Sequence, residues 1–492
     1  MTDNGEGRGF ITALGALLAL AVFIYIASHT DWILRETDLW WHIRTGQLTL
    51  QHWSVPQTDP FSYTYGGQPW IAKEWLSQVV FALSYDVLSW AGPLLVTAAV
   101  LALTGWLIYA HATKHIQPIF AAVLVIASIF LSQGVTVARP HMLTFPLVVA
   151  LAIIYFDVAR AKMAPPWWSL LLIILWTNLH GSFAIGIAIA ACAFIDYFER
   201  ARFTDRATLL KWIAYGLLSI LVTLINPYFI KPYLIAATLV GGVSVMDRIS
   251  EWAPFTAPAN SVMEAGFMLL FLLLLKARAK FTFGQILFTL LAFHMALTHL
   301  RFLYVFFLAV PGVLLPDVAE ALPSFSLTNW LARPRDGLER ALGRGARAVV
   351  ALALIGAVAT CAYFVMSHVV PPEKSSISGA LAYIEKNKAT DKALQTHVFN
   401  DFNFGGPLIL AGIPTYIDDR AEQLYIGPFL EDYLKAGDSD SKDVLAKILS
   451  RPDIGWAIIP VNDPRETNLH FINGWKQVYA DDVAAIWEKN EP

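Results

Sequence analysis

Long apolar runs separated by short polar turns dominate the chain as far as about residue 368; beyond it the pattern changes. A membrane crossing needs about 20 mostly apolar residues. Runs of this kind lie at 10–28, 93–110, 119–138, 142–159, 167–179, 182–198, 209–225, 262–275, 283–299, 302–318 and 348–368, which predicts eleven spans. The first run is long and is followed by no small-x-small cleavage site, so it reads as a span and not as a cleaved leader. The stretch 74–91 is apolar but punctuated by Glu74, Ser77, Gln78 and Asp86, and reads as a helix lying in the membrane interface.

Lys and Arg in short loops set orientation. With the N-terminus in the cytosol, alternation places Lys114, then Arg160 and Lys162, then Arg200, Arg202, Arg206 and Lys211 on the cytosolic side. Lys276, Arg278 and Lys280 follow there, and then Arg333, Arg335, Arg340, Arg344 and Arg347. Treating 74–91 as a span would move these clusters outside. The same parity puts the first long loop, 29–92, and everything after 368 outside the cytosol.

After Val369-Val370-Pro371-Pro372 the sequence becomes polar, and 369–492 is long enough for an independent domain. Helical patterns at 377–388 and 429–449 alternate with short strand patterns at 397–399, 456–460 and 483–487, which predicts a small α/β unit. The expected architecture is mostly α: a polytopic membrane body, 1–368, with an extracytoplasmic α/β domain, 369–492.

Composition sharpens this reading. Of 492 residues, 56% are hydrophobic and only 15% charged, against about 25% charged in soluble domains. That excludes disordered and fibrous classes. Cys192 and Cys361 both sit in apolar runs, so a disulfide scaffold is excluded too. A net charge of −3 offers nothing to nucleic acid. No phosphate-cradling Gly-rich loop, nucleophile elbow or zinc-protease helix occurs.

Candidate chemistry collects in the predicted outer loops. Asp38 and His42 are four residues apart and share a helix face with Arg35, while Glu36 lies beside them. A partly desolvated carboxylate of this kind suits a general base. Trp40, Trp41, Trp70 and Trp75 offer flat faces to a sugar or an isoprenoid. Arg139 and Arg301, at predicted outer span ends, suit a phosphate through the two-point guanidinium fork. His141, His180 and His299 stand at the same ends. Asp59 and Glu74 in the loop, and Asp418 and Arg420 in the tail, are candidates for binding an acceptor. Each also has a structural reading. Tryptophan at a span end is ordinarily an interface anchor, an arginine there ordinarily reaches toward headgroups, Asp59 before Pro60 starts a turn, and Asp418 with Arg420 makes a salt bridge.

The run Asp38-Leu39-Trp40-Trp41-His42-Ile43-Arg44-Thr45-Gly46, then Pro56-Gln57-Thr58-Asp59-Pro60-Phe61-Ser62-Tyr63-Thr64 and Pro69-Trp70 with Glu74-Trp75-Leu76, resembles bacterial integral-membrane proteins of the GT-C glycosyltransferase superfamily. These are related to protein mannosyltransferases and lipid A aminoarabinose transferases. Ala138-Arg139-Pro140, Asn178-Leu179-His180-Gly181, Asn226-Pro227-Tyr228, Arg301-Phe302, Phe399 to Gly406 and Ile417-Asp418-Asp419-Arg420 extend the resemblance over nearly the whole chain. It implies a bacterial inner-membrane enzyme with an acidic residue in its first outer loop, interfacial helices there, and a periplasmic tail domain. It further implies inverting transfer of a sugar from a polyprenyl-phosphate carrier to an extracytoplasmic hydroxyl. Asp38 matches the acidic position. Several relatives carry adjacent acidic residues there, whereas Glu36 is one residue removed from Asp38.

On that reading Asp38 is the base, oriented by His42, and Arg139 and Arg301 hold the donor phosphate with help from His141, His180 or His299. The residues leave a divalent cation neither required nor excluded. Two other classes stay open: a non-catalytic scaffold of envelope glycan synthesis, and a transporter of lipid-linked sugar. A transporter needs ionisable groups deep in spans, and His294, Asp157 and Asp196 are the main candidates.

Overall fold

The computed structural model describes all residues except 1, 203–204, 241–253, 257–259, 333–335 and 491–492. Arg333 and Arg335, counted among the basic loop residues, therefore lie outside the described residues. The chain is mostly helical, with a small mixed sheet near the C-terminus. It divides into two compact units: Met1–His29 with Leu94–His368, and Thr30–Pro93 with Val369–Pro492. The long loop is thus grouped with the tail and not with the helical body, a boundary that composition does not reveal.

Among the described residues, seven helices are long and apolar enough to cross a membrane, not eleven. They are Gly5–Ser28, Ala91–Ala112, Pro140–Arg160, Gly181–Ala201, Arg206–Leu224, Leu300–Ala321 and Ala346–Met366. The other four expected spans form shorter helices: Pro118–Leu131, Trp167–Leu179, Ser261–Ala277 and Phe283–Thr298. The last three nearly coincide with their apolar runs and are simply short, whereas the run 119–138 continues past its helix. After Leu131 the chain makes a 3-10 turn at Gln133–Val135. His180 (φ −162°, ψ 148°) ends the second short helix and His299 (φ −146°, ψ 120°) the fourth, both in extended conformation.

In the second unit, the helices Asp38–His52 and Trp75–Leu88 pack face to face. They approach closely at Gly46, where a Cβ would stand 2.1 Å from the Gln78 carbonyl oxygen. The stretch expected to be one interfacial helix is the second of this pair.

The tail sheet has four strands: β1 (His397–Asn400), β2 (Ile454–Pro460), β3 (Trp475–Ala480) and β4 (Ala484–Lys489), in the order β1-β2-β4-β3. The β1–β2 pair is parallel and the others antiparallel. Ile377, Ile384, Val398, Leu408, Trp456, Ile458 and Ile486 build its core. The helix expected over 429–449 is two helices, Pro428–Lys435 and Lys442–Leu449, parted by a turn through Gly437. Sequence analysis missed β3, an edge strand whose pattern is too polar to stand out.

Loop and tail interlock through backbone and side chains. Tyr63 N–H donates to Thr415 O (3.1 Å) and Thr415 N–H to Phe61 O (3.2 Å). Tyr63 Oη donates to Val398 O at 2.9 Å and Thr64 Oγ1 to Tyr416 O at 2.7 Å. The Gln423 side chain exchanges two hydrogen bonds with the Ile71 backbone, and Lys73 pairs with Glu422.

Candidate functional site

Asp38 opens the helix Asp38–His52, where a carboxylate is favoured by the helix dipole. The residue before it, Thr37, is an N-cap whose hydroxyl does not cap. It donates instead to Asp419 Oδ2 at 3.0 Å, tying the helix start to the tail. Asp38 is only 8% exposed and accepts a hydrogen bond from Trp41 Nε1 at 3.3 Å. Helical spacing puts Asp38, Trp41, His42, Thr45 and Thr49 on the buried face.

One turn on, His42 is buried between the two packed helices. Its Nδ1 accepts from Gln78 Nε2 at 3.2 Å, which puts the ring proton on Nε2, and Glu74 Oε2 stands 3.7 Å from that atom. Gln78 Oε1 is buried without a hydrogen-bond partner. Glu74 is itself buried at the N-cap of Trp75–Leu88. Glu74 and Gln78 are four residues apart, so one helix face supplies both contacts to the imidazole. Two carboxylates and an imidazole are therefore held on two helix starts. Gln78 entered the sequence reading only as an interruption of an apolar run; its spacing from Glu74 was the available signal. Glu36 is half-buried and pairs with Arg35 at 3.2 Å.

The tryptophans are packed more than exposed. Trp40 lies 4.2 Å from Trp90 between ring centroids, and Trp41 lies 6.1 Å from Trp70 edge-on. Trp75 alone of the four is half-buried. Asp59, Asp418 and Arg420 form a sealed network. Arg420 donates from Nε and Nη2 to the two oxygens of Asp418, 2.7 Å each, and from Nη1 to Asp59 Oδ1. Its guanidinium lies 4.9 Å from the Trp70 ring and 5.0 Å from Phe61. Burial pushes the Asp418 carboxyl up, but the Arg420 charge and hydrogen bonds from Arg420 and Tyr425 outweigh it and hold the group below the usual range. Asp59 Oδ1 also accepts from Phe61 N–H at 2.9 Å, the turn its position before proline suggests. Such a saturated ion pair ties two segments together; it presents no open oxygen to a ligand. A second network, Arg465 with Asp401, Asp463 and Tyr433, escaped sequence analysis because its members are up to 64 residues apart.

In the first unit the arginine and histidine candidates sit at three corners of one kind. Arg139 (φ −139°, ψ 159°), His180 and His299 are each extended and each precede a 3-10 turn: Pro140–Thr144, Gly181–Phe183 and Leu300–Phe302. The His141 ring lies 6.2 Å from His180 and 6.3 Å from Tyr304, and the Gln133–Val135 turn touches Leu300–Phe302. Arg139 and Arg301 are half-buried. His141 Nε2 donates to Val135 O at 2.8 Å, so its neutral ring keeps a bare Nδ1 and offers no further N–H. His180 Nδ1 accepts from Ser182 N–H at 3.1 Å, which places its proton on Nε2.

No protein-family model matches this chain, and no curated protein matches it.

Proposed function

We propose that the chain is a membrane-embedded glycosyltransferase that moves a sugar from a polyprenyl-phosphate carrier to a hydroxyl outside the cytosol, with inversion. The carrying observation is Asp38: a nearly buried carboxylate, fixed by Trp41 at the first turn of a helix and neighboured in sequence by the His42–Glu74 pair. It matches the acidic position that the resemblance singles out.

In the proposed step the acceptor hydroxyl attacks the anomeric carbon while its proton passes to Asp38. The bond from that carbon to the phosphate oxygen breaks, and polyprenyl phosphate leaves carrying the electron pair. Arg139, Arg301 and His180 are assigned to the phosphate, whose growing charge they offset. The isoprenoid lies in the bilayer. The proposed setting is a bacterial inner membrane, with the N-terminus in the cytosol and the tail in the periplasm. In that setting loop and tail share a side of the membrane, a reading supported by the compact unit they form. Among the described residues, six of the seven candidate spans lie between them, an even number, which agrees with this.

The packing of Trp40, Trp41 and Trp70 against protein favours a second reading, a non-catalytic scaffold of envelope glycan synthesis. Asp38→Asn separates the two. A transferase loses sugar transfer to the background rate while the variant inserts and melts like the wild type. Full complementation by a folded Asp38→Asn protein rejects the base role.

A further inference from the structure

The C-terminal end of the helix Ala91–Ala112 meets the last turn of Phe145–Arg160, and a polar cluster forms where they touch. The helix ends at Ala112, and the turn that follows it brings His115 beside His111, with ring centroids 5.1 Å apart. One ligand atom from each of His111, His115 and Asp157 lies within 4.8 Å of the others.

The protonation of His111 is decided by its neighbour. Pro316 has no N–H and cannot take the helical hydrogen bond from the carbonyl four residues earlier, which is that of Gly312. His111 Nε2 lies 3.0 Å from that carbonyl oxygen. A carbonyl only accepts, so Nε2 carries a proton. In the neutral ring Nδ1 is then a bare lone pair. That atom is buried, the residue being 3% exposed, and has no hydrogen-bond partner. It faces Asp157 Oδ2 at 3.6 Å, too far for a hydrogen bond and with two lone pairs opposed. An arrangement of this kind calls for a cation between the two atoms.

We propose that His111, His115 and Asp157 bind a first-row divalent transition-metal ion. Two imidazoles and one carboxylate suit zinc, cobalt or manganese, and not the all-oxygen shells of calcium or magnesium. Donors about 2.1 Å from a tetrahedral zinc stand about 3.4 Å apart, close to the His111–Asp157 separation. The Nε2–H bond to Gly312 is the outer contact that metal-bound histidines ordinarily make: it fixes the ring and its tautomer. The negative end of the Ala91–Ala112 helix adds attraction for a cation. The nearby Arg160 charge is largely offset, since Arg160 pairs with Asp317 and approaches Glu320. The site owes nothing to the proposed transferase chemistry and stands or falls without it.

The test uses full-length protein in detergent, stripped with a chelator, titrated with zinc and separately with cobalt, and desalted for elemental analysis. His111 is too buried for a clean substitution, so the variants are His115→Ala and Asp157→Asn, both at partly exposed positions. Wild type is expected to retain about one equivalent of zinc and to show cobalt absorption bands of a nitrogen–oxygen site. Each variant binds at least tenfold more weakly and loses those bands, while Lys114→Ala keeps both. If wild type binds no more zinc than the His115→Ala/Asp157→Asn double variant, the proposal fails.

Discussion

Arg420 and Asp59, 361 residues apart in the chain, are joined by a hydrogen-bonded ion pair that is closed to solvent on both sides. It clamps the loop following the first apolar helix onto the tail within one compact unit. Breaking such a pair strands a buried charge, at a cost of about 3–5 kcal/mol. Arg420→Met and Asp59→Asn are therefore expected to lower the melting temperature of the full-length protein sharply, and to open the Thr30–Pro93 segment to protease. Asp418 adds an acid limb. Its folded pKa lies below the ordinary value of 3.8, so its stabilisation is present above that pH and is lost as pH falls through the folded value. Arg420→Met should flatten that limb.

Gly46 sets the distance between Asp38–His52 and Trp75–Leu88. Alanine would gain about 1 kcal/mol of helix propensity. Against that, its Cβ would meet the Gln78 carbonyl at 2.1 Å and Ala82 Cβ at 2.7 Å. Overpacking of this kind costs about 1–3 kcal/mol, and a backbone oxygen yields less than a side chain. Gly46→Ala is expected to be net destabilising in thermal melts. It should also pull Glu74 away from His42, and so reduce transfer more than it reduces stability.

Glu488 on β4 is buried beside Asp391, which raises its pKa to about 7 from 4.5, while Lys476 at 3.7 Å offsets this in part. Its Oε1 has no hydrogen-bond partner, in keeping with a protonated acid. A raised folded pKa favours the folded state fully below 4.5, and the benefit is lost as pH rises through 7. Hydrogen exchange of the β4 amides should accelerate between pH 5 and about 8 beyond the intrinsic trend. Glu488→Gln should remove that excess; an unchanged profile would acquit the residue.

Arg139 and Arg301 are assigned to the donor phosphate. A charge-assisted hydrogen bond contributes about 1.5–3 kcal/mol, or roughly tenfold to a hundredfold in affinity. Arg139→Ala and Arg301→Ala should weaken binding of a polyprenyl phosphate by that factor with melting temperatures nearly unchanged. His141→Ala should cost little, since the one N–H of its ring is given to Val135 O. Wild-type affinity in both arginine variants would return these side chains to lipid headgroups.

Helical periodicity and polarity were enough to anticipate an apolar helical body and a mixed tail after Pro372. They also located Asp38 on a helix and the corners at Arg139, His180 and His299. Hydropathy counted four short apolar helices as spans, and in one of them, 119–138, it ran past the helix end at Leu131. The His42–Glu74–Gln78 cluster was half legible, because i, i+4 spacing shows which residues share a face but not which helix packs against it.

What the chain by itself determined was local: which segments are apolar, where they stop, and which side chains one turn groups together. Tertiary structure alone decided that the loop 30–93 belongs with the tail, and that Arg420 spends its charge internally on Asp418 and Asp59. It alone turned the lone pair of His111 toward Asp157. Those outcomes depend on burial and hydrogen bonding between residues tens to hundreds of positions apart, and a pattern read a few residues at a time carries no record of such partners.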